Sequence, residues 1–226
     1  TGIEENKFGF YLYDLDHAIT ACREMENINL IGLHFHIGSQ ITDLTVFRGL
    51  CLRVNEIQSR LKEQGIILPH VNFGGGLGIN YDCPMCGLIP DFASYFQTFA
   101  DFFEALPGQQ LHFELGRSLV GQCGSLISRV LYVKEGKHKK FVILDAGMND
   151  LYQASHRIEN LTSVGEHEKY DVVGPICESS DCFGKDRELP LTNRGDLIAI
   201  RSCGAYGEVM ASRYNLRELP GSYFSR

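Results

Sequence analysis

Apolar residues fall in two different rhythms along the chain. Up to about residue 117, helical stripes alternate with short continuous runs. Leu15, Ile19 and Cys22 recur at helical spacing. Leu44, Phe47, Cys51, Val54, Ile57 and Leu61 repeat at steps of three or four, which predicts a long helix that Gly65 ends. Phe92, Tyr95, Phe96, Phe99 and Phe103 predict another, closed by Pro107-Gly108. Between these stripes lie apolar runs of strand length at residues 30–36, 67–73 and 111–115. Strand, helix and strand in succession predict a parallel sheet with crossover helices.

Beyond residue 117 the helical period fades. Runs at 126–133 and 141–144 flank a polar turn at Glu135-Gly136 and predict a β-hairpin. Runs at 172–176 and 197–200 continue the strand texture, and the polar stretch 160–170 reads as a loop. The expected organisation is an α/β part over 1–117 and a mostly antiparallel β domain over 118–226. The first part holds only three or four strand–helix units, whereas a closed (β/α) barrel needs eight. An open sheet of three strands would leave edges to be covered. The first part is therefore either a small open layer or a piece of a barrel.

Composition narrows the class. The chain has 226 residues, 44% of them hydrophobic, enough for one large domain or two small ones. Its 21 basic and 28 acidic side chains leave a net charge of −7, and no Lys/Arg block offsets it, which argues against nucleic acid as a partner. No apolar run approaches the roughly 18 residues of a membrane span. Residues 1–8 are polar and charged and lack the apolar stretch of a signal peptide. The eight cysteines are scattered, several in apolar-periodic segments, as expected of buried free thiols in a reducing cytoplasm.

Five segments could carry chemistry. Gly74-Gly75-Gly76-Leu77-Gly78 follows a strand-like run, and glycines let backbone N–H groups approach a phosphate. The dinucleotide fingerprint fails because Ile79 stands where its third glycine should be, and no P-loop lysine follows. A tight turn needing positive φ accounts for the run equally well. His34-Phe35-His36-Ile37-Gly38-Ser39-Gln40 ends another run, and alternation sets His34 and His36 on one face. Ligands bind at such C-terminal strand ends. The histidines suit a metal, a stacked ring or a satisfied core, and Gly38-Ser39 suits a second phosphate contact. In Glu114-Leu115-Gly116-Arg117 the carboxylate and guanidinium either pair with each other or face one ligand bearing a basic nitrogen and an anion.

Cys177-Glu178-Ser179-Ser180-Asp181 brings a thiol beside two carboxylates. The thiol is a nucleophile, a proton donor, or a buried group next to a solvated acidic loop. In Cys203-Gly204-Ala205-Tyr206-Gly207 the tyrosine is either a phosphate or substrate contact or a packed aromatic. Cys83 and Cys86 have C-x-x-C spacing without the partners of a zinc ribbon or a thioredoxin-like context, and read as incidental loop cysteines open to oxidation.

Taken in order, H-F-H-I-G-S-Q, F-G-G-G-L-G, E-L-G-R-S-L-V-G, L-D-A-G-M-N-D-L, G-P-I-C-E-S-S-D and C-G-A-Y-G resemble the diaminopimelate decarboxylase family over nearly the whole chain. These are pyridoxal 5'-phosphate enzymes of the alanine-racemase-like, fold-type III barrel class. Ornithine and arginine decarboxylases share several of the segments; Glu178 directly after Cys177 is what resembles the diaminopimelate branch. The resemblance implies the C-terminal part of a PLP-binding (β/α)8 barrel followed by a mostly antiparallel β domain. It also implies decarboxylation of meso-2,6-diaminopimelate to L-lysine and CO2, the last step of lysine biosynthesis, in a cytoplasmic homodimer.

Site roles follow from the same resemblance. His36 would stack on the pyridine ring. Ser39 and the backbone of Gly74, Gly75 and Gly76 would hold the phosphate, with Gly116 among the cofactor contacts. Glu114 would pair with the ring nitrogen. Arg117 would bind the phosphate or a substrate carboxylate, and Tyr206 would sit at cofactor and substrate. Cys177 would be the acid, Glu178 would read the distal ammonium and Tyr152 the distal carboxylate. Cys177 and Glu178 would reach a neighbour's site.

Two departures stand against the family pattern. The Schiff-base lysine belongs to an early barrel strand, expected before Thr1, and no lysine here (Lys7, Lys62, Lys134, Lys137, Lys139, Lys140, Lys169, Lys185) sits in a matching segment. The chain is thus expected to be N-terminally incomplete. Between Leu151 and Tyr152 the family carries a few further residues, an arginine among them, where this sequence closes up. The alternatives are a related amino-acid or polyamine-pathway decarboxylase and a non-catalytic homologue lacking the lysine.

Overall fold

The structure is a computed structural model and describes residues 7–84, 90–152 and 156–225. Its internal contacts separate two compact units, Thr1–Gly78 with Asp91–Gly116, and Ile79–Pro90 with Arg117–Arg226.

The first unit is a parallel α/β layer. Its elements run α1 (Leu15–Glu24), β1 (Gly32–His34), α2 (Thr45–Glu63), β2 (His70–Asn72), α3 (Phe92–Phe102) and β3 (Gln110–His112). The strands pair in the order β1-β2-β3, with His34 opposite Asn72 and Asn72 opposite His112. Helix α2 carries the stripe read from the sequence: Phe47, Cys51, Val54, Ile57 and Leu61 are all buried. It stops where Gly65 adopts φ +72, the Gly65 and Ile66 N–H groups donating back to Lys62 and Leu61. Helix α3 starts because the Asp91 carboxylate accepts the Ser94 N–H at 2.9 Å. Its Tyr95 and Phe99 are buried, but Phe96, expected in the same stripe, is 43% exposed. Phe96 lies at the flank of the stripe and rests edge-on against Phe113.

Each strand is shorter than its apolar run. The ladder ends at His34, Asn72 and His112, while backbone bonds continue from Phe35 to Asn72, from Phe73 to His112 and from Glu114 to Gly74. Positive φ at Gly38, Gly74 and Gly76 turns the chain out of the extended conformation there. Alternation divides the sheet sharply. Leu33, Val71 and the phenylalanines Phe35, Phe73 and Phe113 join the helices in the apolar core. His34, His70, Asn72, Gln110 and His112 alternate onto the opposite, polar face.

The second unit begins with the short α4 (Arg117–Val120) and continues as a six-stranded sheet. Its strands are β4 (Ser125–Glu135), β5 (Lys140–Leu144), β6 (Ile158–Asn160), β7 (His167–Val173), β8 (Cys182–Pro190) and β9 (Leu197–Arg201). The order is β6-β9-β4-β5-β7-β8, antiparallel throughout except for the parallel pair β5–β7. The end strands β6 and β8 also pack together, so the sheet nearly closes. Val130, Val142, Leu144, Tyr170, Val172, Phe183, Leu189, Ile198 and Ile200 fill its core.

The β4–β5 hairpin forms as expected, with Glu135 opposite Lys140. The polar stretch 160–170 is only partly a loop, because β7 begins at His167. Strand β8 escaped sequence reading altogether. Its middle, Lys185-Asp186-Arg187-Glu188, is charged, and only Phe183, Gly184 and Leu189 are fully buried. A strand at the end of the pairing order can be polar along one side, which erases its apolar signature. The run 172–176 is cut short at Val173 by Gly174-Pro175.

Candidate active site

In the first unit the C-terminal strand ends bring together Glu114, Gly74, Gly75 and His36. Glu114 follows β3, and its side chain is 55% exposed. Its Oε1 accepts the Asn72 Nδ2–H at 2.7 Å, and its Oε2 lies 3.7 Å from His34 Nε2. Asn72 Oδ1 in turn accepts the Gly74 N–H at 2.8 Å, and the Gly74 carbonyl accepts the Glu114 N–H at 2.7 Å. A methyl group on Gly74 would stand 2.3 Å from the Phe35 carbonyl and 3.1 Å from His36 Nδ1, at φ +66. One on Gly75 would stand 2.3 Å from the Glu114 carbonyl. Glycine is therefore required for the backbones to approach each other, and His36 borders the turn. Ser39 is exposed just past Gly38, which is buried. Gly116 ends this unit, with open space where a side chain would be.

In the second unit Arg117 opens α4. Its Nη1 donates to the Tyr81 hydroxyl, and its guanidinium lies over the Tyr206 ring, 4.8 Å from the centroid. Tyr206 itself sits at φ +60, a left-handed conformation that non-glycine residues seldom adopt. Sequence reasoning missed two members of this group. Tyr81 and His156 meet edge-on at 4.9 Å, and His156 Nδ1 donates to the Arg201 carbonyl at 2.7 Å. Burial, with a further contribution from the Arg117 charge, holds the His156 imidazole below its usual pKa. Neither residue carries a motif on its own, so only the fold reveals the cluster.

The Cys177 loop belongs to the same unit. Cys177 and Glu178 are exposed, contrary to the buried-thiol alternative. Asp181, counted as part of a solvated acidic loop, is 3% exposed. Its Oδ1 accepts the Met148 N–H and its Oδ2 the Ile176 N–H, both at 2.7 Å. It thereby ties the segment before Cys177 to the Asp145-Ala146-Gly147-Met148 turn after β5. Burial pushes its carboxyl up despite these donors. Tyr152 is 66% exposed, and residues 153–155, just after it, lie outside the described residues.

The cysteines are mixed in character. Cys51 is buried, with its thiol pushed up to about 11 by burial; Cys203 is half-buried, and burial likewise pushes it up to about 11. Cys123 is exposed, so the expectation of a buried free thiol fails there; Cys83 is disulfide-bonded, in keeping with its reading as a loop cysteine open to oxidation. Cys86 lies outside the described residues. Among the described residues, no cluster of three or more His, Cys, Asp or Glu side chains could hold a metal ion, and no helix is long and apolar enough to cross a membrane.

A parallel layer with a carboxylate and a glycine turn at its strand ends, followed along the chain by a mostly antiparallel sheet, matches a known class. The family described as pyridoxal-dependent decarboxylase, C-terminal sheet domain, matches residues 10–204, and the chain belongs to it. Among curated relatives, diaminopimelate decarboxylase of Bacteroides thetaiotaomicron is 60% identical over 230 residues, covering 100% of this chain and 60% of that protein. A crystal structure of diaminopimelate decarboxylase from M. jannaschii in complex with L-lysine superposes with a TM-score of 0.86 at 40% identity, covering 97% of this chain and 52% of that one. The Helicobacter pylori enzyme complexed with L-lysine gives 0.86 at 39% identity, over 97% and 55%. The chain thus spans about half the length of the relatives it matches.

Proposed function

We propose that the protein carrying this chain decarboxylates meso-2,6-diaminopimelate to L-lysine and CO2 with pyridoxal 5'-phosphate. The observation that carries the reading is the 60% identity to a diaminopimelate decarboxylase along the full chain. The Cys177-Glu178 pair of that resemblance stands exposed here. The first unit fits the cofactor by its donor set: an accessible carboxylate, a neighbouring imidazole and a glycine turn whose close approaches exclude side chains.

When bound, pyridoxal phosphate supplies an electron sink for the pair left as CO2 departs. The chain's own groups serve that chemistry. Glu114 would pair with the ring nitrogen and keep it protonated. His36 would cover the ring face, and the N–H groups of Gly75 and Gly76, with Ser39, would bind the phosphate; the Gly74 N–H is given to Asn72 Oδ1, so Gly74 serves by shaping the turn, and Gly116 would add a backbone contact. Arg117 takes an anion, the phosphate or a substrate carboxylate, and Tyr206 contacts cofactor and substrate. The Cys177 thiol delivers a proton to the carbon that loses CO2. Glu178 accepts from the distal ammonium of the substrate, and Tyr152 contacts its distal carboxylate. Cys177 and Glu178 serve the site of a second copy, so the working form is a homodimer, and the setting is cytoplasmic.

The test is turnover. Lysine and CO2 should form from meso-diaminopimelate, with ornithine, arginine and carboxynorspermidine far poorer. Preference for one of those three would move the protein to a different branch of the family. Cofactor binding without turnover of any of them would identify a non-catalytic homologue.

A further inference from the structure

We propose that Asn72 is the positioning residue that aims the Glu114 carboxylate and locks it to the glycine turn. The inference rests on the cofactor reading above. Three hydrogen bonds close a ring: Asn72 Nδ2–H to Glu114 Oε1 at 2.7 Å, Gly74 N–H to Asn72 Oδ1 at 2.8 Å, and Glu114 N–H to the Gly74 carbonyl at 2.7 Å. The amide has no freedom of orientation within it. Only its oxygen can accept the Gly74 N–H, so its NH2 must face the carboxylate. The ring therefore joins the end of β2, the turn that follows it and the end of β3. Asn72 thus holds the carboxylate assigned to the ring nitrogen and the first residue of the turn whose following N–H groups are assigned to the phosphate. Both must keep a constant separation for one rigid ligand to span them.

An amide is required here, and a carboxylate will not substitute. Asn72→Asp preserves the acceptor for Gly74 but sets a second carboxylate against Glu114 within hydrogen-bond distance. Like charges so close cannot both ionise freely. The two carboxylates then take up one proton from solvent and share it, so Glu114 bonds its neighbour instead of the ligand. The residues facing this carboxylate are His34 from β1 and Asn72 from β2; the neighbouring His70 and His112 rings are occupied with each other at 2.9 Å.

The experiment measures cofactor affinity on the protein that carries this chain. Apoprotein is titrated with pyridoxal phosphate and, separately, with pyridoxal, while the visible absorption maximum is recorded. Wild type, Asn72→Asp, Glu114→Gln and the double variant are compared, with thermal melts to confirm folding. Losing a hydrogen bond to a charged group is expected to weaken both ligands by about 10- to 100-fold in Asn72→Asp. Pyridoxal should suffer as much as the phosphate ester, because the bond to Gly74 survives. The absorption maximum should shift in the same direction as in Glu114→Gln. Within the Glu114→Gln background the same substitution should cost less than about twofold, because the carboxylate it acts through is gone.

Wild-type affinity in Asn72→Asp would overturn the proposal. So would a loss of equal size in both backgrounds, or a loss confined to the phosphate ester. Should Asn72→Asp fail to fold, Asn72→Ala is read by the same cycle against Glu114→Gln. A wild-type protein that binds no pyridoxal phosphate would instead overturn the cofactor reading, and this inference with it.

Discussion

Removing the Asp181 carboxylate should loosen the Cys177 loop and destabilise the second unit. The side chain is 3% exposed and accepts two backbone N–H groups, those of Met148 and Ile176, each at 2.7 Å. Gly174 makes room for it: a Cβ there would lie 2.3–2.5 Å from the carboxylate atoms. Asp181→Ala leaves both donors without a partner in a poorly hydrated place. An unsatisfied buried donor costs about 1–3 kcal/mol, so the gross loss is about 2–6 kcal/mol. Part is recovered, because burial disfavours the charged carboxylate, as its raised pKa attests. The net expectation is about 2–4 kcal/mol.

Urea unfolding followed by circular dichroism reads that quantity directly. A domain of this size should also melt about 10–20 °C lower. Asp181→Asn should fall between wild type and Asp181→Ala, because its amide oxygen keeps one acceptor while its NH2 faces the other N–H. A second assay follows the loop itself. The Cys177 thiol should react with a disulfide reagent at a different rate in Asp181→Ala once its anchor is gone. Stability within about 0.5 kcal/mol of wild type, together with an unchanged Cys177 rate, would refute the reasoning.

Gly75→Ala should weaken cofactor binding and lower the stability of the first unit together, because its Cβ would collide with the Glu114 carbonyl at 2.3 Å; equilibrium unfolding and cofactor titration check both, and affinity loss without destabilisation would contradict the collision. His156 is held neutral in the fold, so the unfolded chain takes up a proton first as pH falls below the ordinary histidine value of about 6.5. Its contribution to stability is accordingly intact above that value and declines toward its lowered folded pKa; melting curves from pH 8 to 5 should show a smaller acid loss in His156→Gln than in wild type. Cys177→Ala should reduce turnover by about 10²–10⁴-fold with little change in cofactor affinity, as for a lost general acid. Mixing it with a variant lacking the Schiff-base lysine should restore activity, up to roughly a quarter of wild type by random pairing; no recovery despite demonstrated subunit exchange would rule out a site shared between copies.

Periodicity alone located many of the elements, because α2, α3, β5 and β9 each bury a stripe or run that their sequence displays. Local chemistry also marked the turns: Gly65 after α2 and the glycines after β2 stand where the backbone needs positive φ or close approach. The candidate groups His36, Gly74, Gly75, Gly76, Glu114, Arg117, Cys177 and Tyr206 were legible as types at strand ends or in tight segments.

What they touch was not. Asn72 sits in an apolar run as an unremarked polar residue, and becomes a brace only when parallel pairing lays β2 beside β3. Asp181 reads as one more acid in an exposed loop, yet the return of the chain buries it against the backbone of Met148 and Ile176. Strand β8 has too little apolar pattern to announce itself, and its place is decided by pairing with β7. Side-chain periodicity reports which face of an element is buried, a local property set by the hydrophobic effect. Hydrogen-bond partners between residues far apart in sequence depend on register and strand order, and these exist only once the chain has packed.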